Sequence, residues 1–279
     1  MISRVAYPGR EGAHSAAACD RLFPEGAELV PLPTFAAVTK AVAQKDVDFG
    51  VLPIESSLAG PVAETHDLLY DSPLSIVEQT ALRIHHCLIG LEKIPLKKIR
   101  AVHSRPAALD QCRRFLASIP DALAIAAATT VGAAEEVVQR ADPTEVAIAS
   151  ERAAHTLGLE ILEHDIGDHP EAYTRFVKLG TYTRLDCDGE DWRLAFSFVT
   201  DHRPGALYIA LEPFSRHAID LVQLVSRPIP HAPWRYRFDA VLNGFPLDPV
   251  VRDTLTEMQS LTRELRVFGS YPAHIEALD

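Results

Sequence analysis

Up to Gly180 one unit recurs in the chain: a short apolar run, a small hydroxyl residue, then a stretch with helical periodicity. Val5-Ala6-Tyr7 leads through Pro8-Gly9-Arg10-Glu11-Gly12-Ala13-His14 to Ser15 and an alanine-rich stretch. Phe49–Ile54 leads to Glu55-Ser56-Ser57 and a later helix around Val62–Leu69. Ile99–His103 leads to Ser104, with Pro106 near the first turn of a helix through Leu116. Ala124–Ala127 leads to Thr129-Thr130 and a helix over Ala133–Arg140, and Val146–Ala149 leads to Ser150 and a helix over Glu151–Leu157. A serine or threonine oxygen at such a junction accepts a free N–H of the first helical turn, and proline fits just inside the start. Strands alternating with helices imply βαβ units and a mostly parallel sheet. Ligands of such sheets sit beyond the carboxyl ends of the strands, where helix N-termini favour anions. Any single hydroxyl reads first as a cap. Five together predict a cleft for a small molecule bearing carboxylate or phosphate.

The pattern stops at Thr181–Asp191 (TYTRLDCDGED), a polar stretch read as a linker between residues 1–180 and 192–279. Beyond it come a strand (Leu194–Val199), a helix (Gly205–Arg216), two strands (Ile219–Ser226 and Trp234–Leu242), a helix (Pro249–Thr262) and a last strand (Leu265–Gly269). The order βαββαβ is that of a ferredoxin-like unit.

The formal net charge is −11. From Trp192 onward 9 Arg stand against 10 Asp and Glu, a net of −1, so the first 191 residues carry −10. An acidic body without a Lys/Arg cluster argues against nucleic acid and anionic membrane as partners, though single arginines and helix dipoles still hold a small anion. No apolar run approaches the roughly 18 residues of a membrane span, and Met1–Gly9 reads as a first strand rather than a leader, so a cytoplasmic protein is expected. Cys19, Cys87, Cys112 and Cys187 lie far apart, without a C-x-x-C pair or histidines at zinc-ligand spacing. Free thiols are expected, with no metal site and no cofactor. His85 and His86 are adjacent in a strand-like run, so their rings should point to opposite faces.

Eight segments, in order, resemble the prephenate dehydratase family followed by an ACT regulatory domain. Tyr7–Ser15 looks like its opening glycine loop, Leu52–Gly60 (LPIESSLAG) its P-[IV]-E-N-S segment, and Ile84–Leu88 its I-x-H-C-L strand. Ser104–Cys112 echoes S-H-P-Q-x-L-x-Q-C, and Ala147–Ser150 with Ala153-Ala154 fits A-I-A-S-x-x-A-A. Thr174-Arg175-Phe176 is the T-R-F triplet. Gly205-Ala206-Leu207 and Ser226-Arg227-Pro228 look like the G-A-L and E-S-R-P phenylalanine-binding motifs. The resemblance implies a catalytic domain of two α/β lobes around a cleft, like a type II periplasmic binding protein. It also implies an ACT domain binding phenylalanine through Gly205, Ala206, Leu207, Ser226, Arg227 and Pro228, and a homodimer or homotetramer formed through that domain.

The implied reaction turns prephenate into phenylpyruvate with loss of CO2 and water. The enzyme must hold two carboxylates and help a hydroxyl leave, a task for a positioned donor. By resemblance Thr174 is that donor, acting through a hydrogen bond rather than as a free acid. Arg175 is a partner for a substrate carboxylate or for Glu55, and Glu55 is expected to orient Arg175 or a hydroxyl network. Ser57 joins them as a catalytic candidate. Ser15, Ser104, Arg105, Thr130, Ser150 and Phe176 are the candidate substrate contacts, with His86 either a buried strand residue or a cleft wall. The chain departs from the family at Ser56 and Ala172, where asparagines are usual, and at Arg105 and Ala107 in the H-P-Q stretch. Val225, in place of the glutamate of E-S-R-P, bears on the strength and identity of amino-acid feedback. Two other readings share this scaffold: a prephenate decarboxylase that keeps the hydroxyl, and an amino-acid or anion sensor without catalysis.

Overall fold

Pro8 ends the first strand and Gly9 turns the chain at φ +106°, a left-handed geometry that suits glycine, so that a helix can pack back on that strand. In the computed structural model, which describes residues 2–119, 121–185, 191–230 and 232–273, this opens a first lobe. Its elements are β1 (Arg4–Pro8), α1 (His14–Leu22), β2 (Glu28–Leu32), α2 (Phe35–Ala43), β3 (Phe49–Ser56), the two-residue β4 (Gly60–Pro61), α3 (Ala63–Asp71) and β5 (Ser75–Arg83). The second lobe holds β6 (Cys87–Gly90), β7 (Ala101–Ser104), α4 (Pro106–Gln111), α5 (Arg113–Leu116), β8 (Leu123–Ala126), α6 (Thr130–Arg140), β9 (Glu145–Ala149), α7 (Glu151–Leu157) and β10 (Glu160–Glu163). The chain then returns to the first lobe as β11 (Tyr173–Gly180).

The return strand shapes the first sheet, whose order is β2-β1-β3-β11-β5. β2, β1 and β3 run parallel, while β11 is antiparallel to both of its neighbours. In the second sheet, β10-β6-β9-β7-β8, strands β9, β7 and β8 are parallel and β6 runs against β9. Two lobes crossed twice by the chain, each with a strand reversed by the crossover, make the expected type II periplasmic-binding-protein-like architecture. The crossovers hold each other: Ile84 N donates to Ala172 O at 2.7 Å and Ile166 N to His86 O at 2.9 Å.

The helix expected through Leu116 is broken at Cys112 into α4 and α5. Asp168, from the second crossover, accounts for the break: its N–H donates to Gln111 O (2.7 Å), and its carboxylate accepts Arg114 N (3.0 Å), capping α5. Residues 84–86 are crossover rather than strand; His85 still turns outward to Asp165 while His86 is buried.

The C-terminal unit is β12 (Trp192–Val199), α8 (Ala206–Arg216), β13 (Leu221–Pro228), β14 (Tyr236–Asn243), α9 (Pro249–Leu261) and β15 (Glu264–Pro272). Its sheet order, β13-β14-β12-β15, is ferredoxin-like. The unit is built into the first lobe. Ala195, Phe268 and Tyr271 share one apolar cluster with Val38, Leu52 and Leu69, and a Cβ at Gly269 would collide with the Ile76 carbonyl, so only glycine permits this approach. α1 covers the opposite face of the first sheet through Val5, Tyr7, Leu82 and Phe176. Of the segment read as a linker, residues 186–190, with Cys187, lie outside the described residues. The part before them is docked: Tyr182 meets the Phe49 ring edge-on and Ser270 Oγ donates to Arg184 O at 2.6 Å. Cys19, Cys87 and Cys112 are buried free thiols.

Candidate active site

The loop after β1 meets the start of α7, which follows β9, where the two lobes touch. Ser150 joins them. Its Oγ accepts Ala153 N at 3.1 Å as the N-cap of α7 and donates to Gly12 O of the first lobe at 2.8 Å. A Cβ at Gly12 would stand 3.0 Å from Ala153 Cα, so the loops meet backbone to backbone. Ion pairs Arg10–Glu135 and Arg152–Asp20 also span the lobes, but their arginines are exposed and each contributes little. Ser150→Ala removes a cap and a lobe-to-lobe bond, and thermal denaturation should show a loss of about 1–2 kcal/mol.

Thr174, the second residue of β11, lies at the carboxyl end of β3, opposite Ser56 on one side and Leu82 on the other. Ser57 fixes that end of the strand: its N–H donates to Tyr173 O (2.8 Å) and its Oγ accepts Tyr173 N (2.9 Å). Strand alternation puts Thr174 on the face of buried Phe176, towards α1, and Arg175 on the other. Arg175 Nη1 donates to Glu55 Oε2 at 2.7 Å, and Glu55 Oε1 accepts Gln223 Nε2 of β13 at 3.0 Å. Both charges also act on Tyr271, whose phenol burial pushes up to about 12. Glu55 and Arg175, expected beside Thr174 in the chemistry, thus lie on the face carrying the C-terminal unit. Period-two alternation separates neighbours in a strand, and no triplet motif overrides it.

Two histidines meet where the start of α1 adjoins the first crossover. His86 Nε2 donates to Gln111 Oε1 at 2.7 Å, which leaves Nδ1 as a lone-pair acceptor, buried and without a partner among the described residues. His14 meets it edge-on, ring centroids 6.4 Å apart, with its own Nε2 buried and unpartnered. Burial first, then the neighbouring His86 and Arg105, pulls His14 down to about 4, and burial lowers His86 as well. Both rings are therefore neutral at pH 7, with the Arg105 charge close by. A folded pKa below the unfolded one means the unfolded chain binds the extra proton first. Stability from His14 is complete above about 6.5 and is lost as pH falls through the folded value of about 4. Ring NMR should place the His14 midpoint near 4; a midpoint above 6 would overturn its burial.

The hydroxyl-marked helix starts divide into kinds. Thr129, rather than Thr130, caps α6, accepting Gly132 N at 2.9 Å; Thr130 is the first helical residue. Ser15 is buried inside α1, whose start at Ala13 has no side-chain cap. Ser104 is a buried strand residue donating to Ile148 O at 2.7 Å, and the start of α4 at Arg105 is likewise uncapped. Two of the five junctions, at Thr129 and Ser150, are caps. The reason is positional: a hydroxyl caps from the N-cap site itself, and Ser104 stands one residue before that of α4 while Ser15 stands two residues after that of α1. His14, Gln111 and Gln223 were missed. Adjacency of His14 to the glycine loop was a signal, whereas nothing local marks the other two.

In the C-terminal unit a cavity of about 430 Å³ lies at the start of α8, lined by Gly205, Ala206, Leu207, His202, Arg203 and Arg235, among others. Gly205 stands there at φ +79°, a cap geometry suited to glycine. The second motif is elsewhere within the chain: Arg227 donates to Asp67 of α3 at 2.7 Å, and Ser226 and Pro228 are exposed on the other face of β13.

Fold and site define a two-lobed α/β protein with a ferredoxin-like unit fastened to one lobe. The prephenate dehydratase family model matches residues 5–184, and the chain belongs to that family. The chain is 33% identical to arogenate dehydratase/prephenate dehydratase 2, chloroplastic, of Arabidopsis thaliana, over 96% of its own length and 72% of that protein. Among solved structures it is similar to a prephenate dehydratase from Arthrobacter aurescens in complex with L-Phe (TM-score 0.89, 25% identity, 98% and 93% of the two chains). It is also similar to GqqA, described as a novel type of quorum quenching acylase (TM-score 0.88, 31% identity, 97% and 98%).

Proposed function

We propose that this chain is a prephenate dehydratase, a carbon–oxygen lyase of phenylalanine biosynthesis, working in the cytoplasm without metal or cofactor. The observation that carries the reading is the placement of Thr174. The T-R-F strand holds its hydroxyl at the carboxyl end of β3, clamped by the two bonds between Tyr173 and the backbone and hydroxyl of Ser57. When the ring C–CO2 bond breaks, its electron pair enters the ring, the ring becomes aromatic, and the C–O bond opposite breaks. Departing hydroxide takes a proton from solvent and leaves as water. A hydrogen bond from Thr174 to that oxygen stabilises the developing charge. Arg105, beside the neutral His14–His86 pair, and the N-terminus of α6 supply positive potential for the substrate carboxylates.

Residues 1–180 form the catalytic domain in this reading, 181–191 the connection, and 192–279 an ACT regulatory domain. The βαββαβ order and the cavity beside Gly205–Leu207 support it, and the L-Phe complex of the similar Arthrobacter chain supports phenylalanine as effector. Ser226 and Pro228 are exposed rather than turned to that cavity. A dimer or tetramer joining ACT domains would bring them to a neighbour's cavity.

Likeness to GqqA favours a second reading, amide hydrolysis. Here the hydroxyls of Ser57, Ser104 and Ser150 bond backbone groups rather than a histidine base. The deciding experiment incubates the purified chain with prephenate, with arogenate and with an N-acyl homoserine lactone, with and without phenylalanine. Phenylpyruvate from prephenate establishes the dehydratase. A decarboxylated product retaining its hydroxyl, lactone deacylation alone, or tight binding without turnover would each replace it.

A further inference from the structure

The C-terminal sheet reaches the T-R-F strand through one side chain. Gln223 sits on β13, on the face turned to the first lobe, and its Nε2 donates to Glu55 Oε1 at 3.0 Å. The other carboxylate oxygen of Glu55 accepts Arg175 Nη1 at 2.7 Å. Arg175 adjoins Thr174, and Glu55 adjoins Ser56, the register partner of Thr174, with Ser57 bonded to Tyr173 one residue further on. Both oxygens of one carboxylate are thus committed, one to each side of a domain boundary. Four residues along the same strand, Arg227 grips Asp67 of α3, the helix that follows β3. β13 therefore holds the segment from Glu55 to Asp67 at both ends.

Resting on the dehydratase reading, we propose that Gln223 is a positioning residue for the reaction: through Glu55 and Arg175 it sets the place of Thr174. A carboxylate bonded on one side only is free to rotate about its last side-chain torsion, and Arg175 swings with it. The β3–β11 pairing carries an irregularity between Arg175 and Phe176, where the ladder itself constrains the backbone least. A displacement there moves the Thr174 hydroxyl by a fraction of an ångström, which positioning chemistry registers in kcat.

Two measurements test this, only one of which depends on turnover. In Gln223→Ala, amide exchange over residues 54–58 and 173–176 should quicken while the rest of the first sheet is unchanged. On prephenate, kcat should fall about tenfold with KM nearly constant, the usual effect of one lost charge-assisted hydrogen bond. Gln223→Glu keeps the shape but replaces the donor with an acceptor, and should lose as much; Gln223→Lys keeps a donor and should recover most of the rate. In a Glu55→Gln background, Gln223→Ala should cost no more than about twofold further, since the relay is already cut. Unchanged exchange and kcat in Gln223→Ala, equal loss in the Lys and Glu variants, or fully additive losses would overturn the proposal. No turnover of prephenate by wild type, together with the exchange change in Gln223→Ala, would sink the dehydratase reading and leave the relay standing.

Discussion

Thr174→Ala should lower kcat on prephenate by about 10²–10³-fold, the range for removing one preorganised donor from a developing oxyanion. KM should change little, because the bond forms as the C–O bond breaks rather than in the bound ground state. Folding should be nearly untouched. Thr174 is only partly buried, and the backbone bonds of its strand survive the substitution, so the unfolding midpoint should stay within about 2 °C. Thr174→Ser restores the hydroxyl and should recover the rate to within about tenfold, the remainder reflecting the lost methyl that holds the rotamer. Steady-state kinetics with product identified by mass decides it. Turnover within twofold of wild type in the alanine variant would remove Thr174 from the chemistry.

The largest stability effect is expected at Arg237, 1% exposed at the seam between the C-terminal sheet and α3. Its Nη2 donates to Asp67 at 2.7 Å and its Nε to Asp239 at 3.2 Å, and the guanidinium lies 4.3 Å from the centre of the Tyr70 ring. His66 Nδ1 donates to the other oxygen of Asp239 at 3.1 Å. Burial opposes ionisation of Asp239, but the His66 bond and the Arg237 charge outweigh it and hold the group below the ordinary carboxylate range. Asp67 is lowered in the same way, its burial outweighed by Arg227 and Arg237. Arg237→Ala strands Asp239 in the interior, at a cost of about 3–5 kcal/mol, or roughly 10 °C in unfolding midpoint. The pH dependence has a definite sign. Carboxylates lowered in the folded state contribute stability that is complete above their unfolded pKa of about 4 and lost as pH falls through the folded value. The gap between wild type and Arg237→Ala should therefore be full at pH 7 and shrink below about pH 4. Thermal melts at pH 7 and pH 3.5 measure it; a gap constant with pH would mean that packing, not charge, holds the seam.

What could be read in the chain before folding was what depends on near neighbours. The helix read as Pro249–Thr262 is Pro249–Leu261, that over Glu151–Leu157 is unchanged, and the βαββαβ order follows from apolar periodicity with Pro and Gly punctuation. Thr174 at a strand's cleft end is legible because its motif and its strand coincide. β2 and α2 escaped notice: Pro31 interrupts the strand's apolar pattern, and helix α2 is announced by Thr34 alone, which accepts Ala37 N.

Contacts between distant residues decided the rest. β11 enters the first sheet against β3 only because the second lobe, some 90 residues long by its crossovers, returns the chain there. That register is what parts Thr174 from Arg175 and sets Arg175 against Glu55, 120 residues away. Ser104 finds its acceptor, Ile148 O, only once β7 pairs with β9. Gln223 has no meaning in its own strand and acquires one at Glu55, 168 residues distant. Sequence by itself thus determined the elements, their order and the strand bearing the chemistry, since periodicity and capping act within a few residues. Only the tertiary structure decided which side chains share a face, because sheet register and domain docking are set by packing across the whole chain.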